Sequence, residues 1–133
     1  MRLTERGALN LDAPASRALP GLREPYASAT LRQLLRHSSG IEEQYIDEKA
    51  PEPRFLRQPS REDIMSWVAE SRRVNDPDVT WAYNSQGFVL TALASEQASG
   101  TSYADLVRSE VAEPLGLESL RFGPERDAVR SDQ

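Results

Sequence analysis

Proline placement sets the outer limits of what this chain can fold into. Pro14, Pro20 and Pro25 form one cluster, Pro51, Pro53 and Pro59 another, and Pro77 and Pro114 stand apart. Each removes a backbone donor, fixes φ and pushes the preceding residue towards extended backbone. Regular elements must fit between these breaks. The apolar residues there recur at helical spacing, with almost no strand alternation.

Four helices are predicted. Thr30 is a good N-cap, and Leu31, Leu34 and Leu35 give one short amphipathic helix ending near His37, whose imidazole would sit on the C-terminal dipole. Ser60 with Asp63 forms a capping-box variant ahead of Ile64, Trp67 and Val68, with Arg72 and Arg73 in the last turn. Ser85 is expected to cap a third helix reaching Ala98. Phe88, Val89, Leu90, Ala92, Leu93 and Ala94 make it apolar on most sides, so it should be the most buried. Gly100 ends it. Ser102, with Asp105, caps a fourth helix that buries Leu106, Val107 and Val111 and stops at Pro114 and Gly116. Met1 to Gly7 reads as the last turn of a helix, and Ala8 to Tyr26 as an extended, proline-punctuated connection. Glu42 to Pro59 is a long polar loop.

Composition narrows the chemistry. The chain has 133 residues, room for one domain, and 38% of them are apolar. Its net charge of -5 argues against nucleic-acid binding, which needs a basic stripe. Cysteine is absent, so disulfides, thiol catalysis and Cys-ligated zinc are excluded. Lys49 is the single lysine and His37 the single histidine. One imidazole cannot build a multi-histidine metal site, so neither metal nor cofactor is expected. No apolar run is long enough to span a membrane. Residues Met1 to Leu11 hold no apolar leader segment. Compartment and oligomeric state stay open.

Several stretches resemble a known family in order and spacing. They are Leu9-Asn10-Leu11-Asp12-Ala13-Pro14, the run from Thr30 to Ile41 with His37-Ser38-Ser39-Gly40, and Trp81-Ala82-Tyr83-Asn84-Ser85-Gln86-Gly87-Phe88. Ser99-Gly100-Thr101-Ser102-Tyr103 and Pro114-Leu115-Gly116-Leu117 complete the series. Together they are similar to the serine beta-lactamase family, more narrowly to its class C branch with the D-alanyl-D-alanine carboxypeptidases and esterases. The resemblance implies a mainly α chain, the helical subdomain of the α/β serine beta-lactamase-like fold, with long loops and little sheet. Residues 1–120 would form this partial domain, and residues 121–133 a polar, frayed tail.

The resemblance also implies a mechanism with three motifs. A Ser-x-x-Lys nucleophile forms an acyl-enzyme. A Tyr-x-Asn or Ser-x-Asn motif reaches into the same site. A Lys-Thr-Gly or His-x-Gly strand holds substrate and oxyanion. Ile46 stands three residues before Lys49, and Ala50-Pro51 follows it, while Ser38-Ser39 follows His37. The first and third motifs are therefore absent from these 133 residues. Tyr83-Asn84-Ser85 occupies the second, with Ser85 in place of Asn and Asn84 shifted by one. Tyr83 and Ser85 are the expected catalytic residues. The complete form would cleave an amide or ester of a small molecule or peptide, and this chain alone would be inactive.

Other readings stand beside that one. In one, Tyr83 only packs a loop and Ser85 is a plain cap. The missing motifs equally suit a non-catalytic helical module that binds a protein or peptide. A hydrolase using Ser39 or Ser102 with His37 is a third possibility, and Gly100-Thr101-Ser102-Tyr103-Ala104 nearly matches a nucleophile elbow. Glu42-Glu43 with Asp47-Glu48 is an acidic loop, better read as solvated than as a cation site.

Overall fold

In the computed structural model, residues 2–43 and 60–122 are described. Capping chemistry starts the helices where side-chain oxygens can meet free N–H groups. Thr30 and Gln33 close a capping box on α3 (Leu31–Leu35), and Ser60 and Asp63 do the same on α4 (Arg61–Glu70). Before them lie two single turns, α1 (Arg2–Glu5) and α2 (Ala15–Ala18). The long helix α5 (Ser85–Ser99) ends on Gly100 at φ 71°. Ser102 then caps α6 (Tyr103–Val107), which runs through a π-helical turn, Arg108–Ala112, into α7 (Glu113–Leu115).

The core sits where α3, α5 and the segment before α3 meet. Leu19, Tyr26, Leu31, Leu34, Ile41, Leu90 and Ala94 are fully buried there. Gly87 lets α5 cross closely over α3, since a Cβ at that position would lie 3.1 Å from Leu34 Cβ and 3.2 Å from its carbonyl oxygen. Extended pairing among the described residues is limited to two isolated bridges, Pro14 with Thr30 and Ile41 with Arg73.

The link from α4 to α5 is tied to the end of α3. Val74 and Asn75 both donate to the Gly40 carbonyl, at 2.8 and 3.1 Å. The Asp78 carboxylate accepts from Gln33 Nε2 at 2.8 Å and from the Ser38 hydroxyl at 2.7 Å, and these bonds hold its pKa below the usual range. Gly40 adopts φ 71°, and a Cβ there would fall 2.0 Å from the Asn75 carbonyl oxygen.

Several expectations are corrected. Residues 8–26 are not simply extended: α2 and successive turns bond much of their backbone locally, and the Ala15 and Ser16 N–H groups donate to the Ala29 and Ala27 carbonyls. Asn84, not Ser85, caps α5. Helix α4 stops at Glu70, so Arg73 serves no helix dipole. Its guanidinium instead donates to the Ser39 carbonyl at 2.7 Å, the Pro25 carbonyl at 2.9 Å and the Ser28 hydroxyl at 3.1 Å. Pro114 does not end the last helix. Without an N–H it cannot pair with the Glu110 carbonyl. The Glu113 N–H reaches back five residues to Arg108, and the turn widens to π geometry. Gly116, at φ 64°, makes the stop. Helix α5 is central, yet Phe88 on it is 49% exposed. The loop after Glu43, the pair Asp47-Glu48 and the tail beyond Phe122 lie outside the described residues.

Candidate active site

The site forms around the turn that enters α5. Asn84 is 1% exposed and uses its whole amide. Its Oδ1 accepts the Gly87 N–H at 2.9 Å, which caps the helix. Its Nδ2 donates to the carbonyls of Ile41 at 3.1 Å and Glu42 at 3.2 Å, and to Tyr26 Oη at 2.9 Å. Asparagine is as good a cap as serine, and its carboxamide offers two N–H donors beside the capping oxygen, where a hydroxyl has a single O–H. That is the physical reason the cap falls one residue earlier than the sequence pattern suggests.

Beneath this turn lies a buried polar chain. Tyr26 Oη receives from Asn84 and donates to Gln86 Oε1 at 2.7 Å. Burial pushes the Tyr26 phenol up to about 12, against the opposing hydrogen bonds of Asn84 and Ser71. The Gln86 Nε2 group is buried and has no hydrogen-bond partner among the described residues.

The flanking motif residues point elsewhere. Tyr83 is 58% exposed. Its ring lies 4.8 Å from the His37 imidazole, centroid to centroid. Ser85 is half-buried, and its hydroxyl donates to Glu43 Oε1 at 3.0 Å while its backbone N–H donates to the other carboxylate oxygen. A hydroxyl that donates to Glu43 keeps lone pairs free to accept. The structure thus brings Tyr83, Asn84 and Ser85 together at one helix start, with Tyr83 the most exposed of the three.

The rival constellations are not assembled. Among the described residues His37 makes no hydrogen bond to a serine hydroxyl; its Nδ1 accepts the Asn84 N–H at 3.1 Å. Ser39 is buried, and Ser102 is the α6 cap, bonded to Asp105 and preceded by a helix rather than the strand an elbow needs. Glu42 pairs with Arg72. No group of three His, Asp or Glu side chains among the described residues could hold a metal ion.

Sequence reasoning missed Tyr26, Glu43 and the amide work of Asn84. Tyr26 sits in a proline-rich stretch with no periodicity, so nothing local marked it as core. Asn84 did carry a signal, being a strong cap residue directly before the helical pattern.

The chain has counterparts among known proteins. Penicillin-binding protein 4* of Bacillus subtilis (strain 168) is 31% identical over 93% of this chain and 28% of its own length. The D-alanyl-D-alanine-carboxypeptidase/endopeptidase AmpH of Escherichia coli (strain K12) is 29% identical over 98% of the chain and 34% of its own length. The octameric penicillin-binding protein homologue from Pyrococcus abyssi superposes on the whole chain with a TM-score of 0.78 at 28% identity, covering 31% of that structure. The chain thus spans about a third of the length of the relatives it matches. The family model described as Beta-lactamase matches residues 1–133. With that match over its full length, the chain belongs to the serine beta-lactamase family.

Proposed function

We propose that this chain is the helical, second-motif part of a serine hydrolase. The complete form would cleave an amide or ester through an acyl-serine intermediate, and these 133 residues alone would be inactive. One observation carries the reading. Tyr83 is exposed, while the backbone beside it is fixed by a fully bonded, buried Asn84.

A serine nucleophile supplied outside this segment would attack the carbonyl carbon, and the acyl group would pass to its oxygen. Tyr83 would hydrogen-bond that oxygen and exchange a proton with it or with the leaving group. A neighbouring cation is needed, because an ordinary phenol near 10 is a poor base at neutral pH. Ser85 would accept an N–H from the substrate, its own proton being committed to Glu43. The relatives' names, a penicillin-binding protein and a D-alanyl-D-alanine carboxypeptidase, support an amide substrate.

The test begins with the genomic sequence upstream of the Met1 codon. An open frame encoding Ser-x-x-Lys supports the reading; a stop codon there overturns it. Where the frame continues, Tyr83→Phe in the longer protein should slow acylation by p-nitrophenyl acetate about 10²-fold or more, the range of one acid–base group.

The binding-module reading draws on a different observation. Trp81 at 67%, Tyr83 at 58% and Phe88 at 49% leave a row of aromatic rings in solvent, as a partner surface would. A cooperative thermal transition with a monomeric sedimentation profile would favour it. Noncooperative melting or aggregation would favour the hydrolase fragment.

A further inference from the structure

We propose that His37 is a positioning residue for Tyr83, setting where the phenol stands. The inference rests on the reading of Tyr83 given above.

The backbone is the first observation. Helix α3 closes with the two bonds of a Schellman end: the His37 N–H donates to Leu34 at 3.2 Å and the Ser38 N–H to Gln33 at 2.9 Å. His37 is the residue past the cap and adopts φ 57°. Glycine is the low-cost residue there, and a histidine is strained by roughly 1 kcal/mol. Helix termination alone does not call for an imidazole.

The second observation is what the residue does in return. Its carbonyl accepts the Ala82 N–H at 2.9 Å, and its Nδ1 accepts the Asn84 N–H at 3.1 Å. His37 therefore grips the chain on both sides of Tyr83. Its ring fills the space between, 4.8 Å from Tyr83, 5.2 Å from Phe88 and 5.5 Å from Trp81 in an edge-on contact. Neighbouring aromatic rings at these separations attract beyond their shared buried area. Because Nδ1 accepts, the ring must be neutral with its proton on Nε2.

Three variants of the longer protein, carrying these residues within the complete frame, separate the contributions. His37→Gly suits the backbone angle but removes ring and acceptor. His37→Asn restores an acceptor near the Nδ1 position without the ring. His37→Phe keeps a ring without the acceptor. The readouts are hydrogen exchange at the Asn84 amide, the Tyr83 ring resonances, and the imidazole ¹⁵N shifts of the parent chain. The parent should show an unprotonated Nδ1 and a protonated Nε2. His37→Gly should retain the fold, yet speed Asn84 exchange at least about fivefold, the factor an ordinary hydrogen bond supplies. It should also move the Tyr83 resonances to solvent-exposed values. His37→Asn should restore the exchange protection but not the ring shifts, and His37→Phe the reverse. If His37→Gly changes neither readout, or if the parent's proton sits on Nδ1, the inference is overturned.

In the complete enzyme the two claims part. His37→Gly should lower kcat for acylation about tenfold or more with KM unchanged, as expected when a reacting group is misplaced. A Tyr83→Phe enzyme that acylates normally overturns the role of Tyr83 itself. A slow Tyr83→Phe enzyme beside an unimpaired His37→Gly enzyme overturns only the positioning role.

Discussion

Replacing Asn84 by alanine strips one buried amide of four hydrogen bonds while leaving the neighbouring motif residues in place. The cap bond to Gly87 is worth about 1 kcal/mol. The carbonyls of Ile41 and Glu42 lose their amide donor, as does the Tyr26 oxygen. An unsatisfied buried group costs roughly 1–3 kcal/mol. The Glu42 carbonyl is only partly buried, so water recovers part of its loss. The expected total is about 3–5 kcal/mol, a large share of the roughly 5–15 kcal/mol that holds a domain together. In urea, with slopes of about 1–3 kcal/mol per molar, the midpoint should fall by around 2 M. Asn84→Asp supplies the control. Aspartate caps as well as asparagine and suits the helix dipole, but it has no donors and sets a charge against two carbonyls. It should be no more stable than Asn84→Ala. Ser85→Ala removes only the hydroxyl bond to Glu43 and should cost about 1 kcal/mol. A Ser85→Ala loss equal to that of Asn84→Ala, or an Asn84→Ala midpoint within about 0.5 M of the parent, would refute the assignment of Asn84 as cap and anchor.

Other substitutions probe the rest of the frame. Gly40→Ala combines a left-handed φ with a Cβ 2.0 Å from the Asn75 carbonyl oxygen, and should cost more than about 3 kcal/mol by thermal melting. Gly100→Ala at the same φ meets open space and should cost only about 1 kcal/mol. Arg73→Lys cannot span the Ser39, Pro25 and Ser28 oxygens at once, so it should lose about 1–3 kcal/mol in urea titration. Stability should also fall in alkali. The Tyr26 phenol holds its proton up to about 12 in the fold and releases it near 10 when unfolded. Between those values the native state binds more protons, so stability present below pH 10 drains away by about 2–3 kcal/mol. Tyr26→Phe should flatten that slope in pH-dependent melting.

Much of the fold was legible because capping chemistry is local. Thr30, Ser60, Gly100 and Ser102 declare element ends within three or four residues of themselves, and the structure uses each where expected. What escaped is set by partners far along the chain. The ties of Arg73 reach back 34 and 48 residues to Ser39 and Pro25. Asn84 reaches 58 residues to Tyr26. No periodicity encodes such pairs. The π turn before α7 follows from Pro114, but whether a proline ends a helix or widens it depends on the packing around it. At the site, Tyr83-Asn84-Ser85 was visible as a motif, while the division of labour within it was not. Cap, exposed tyrosine and Glu43-bound hydroxyl are distinguished only by what surrounds each side chain.

The central claim is that these residues carry the second motif of an acyl-serine hydrolase but no nucleophile. Intact mass spectrometry after incubation of the 133-residue chain with benzylpenicillin, and separately with p-nitrophenyl acetate, tests it most directly. The account predicts an unmodified mass and ester hydrolysis no faster than buffer. A covalent acyl adduct mapped to any serine of this chain would contradict it.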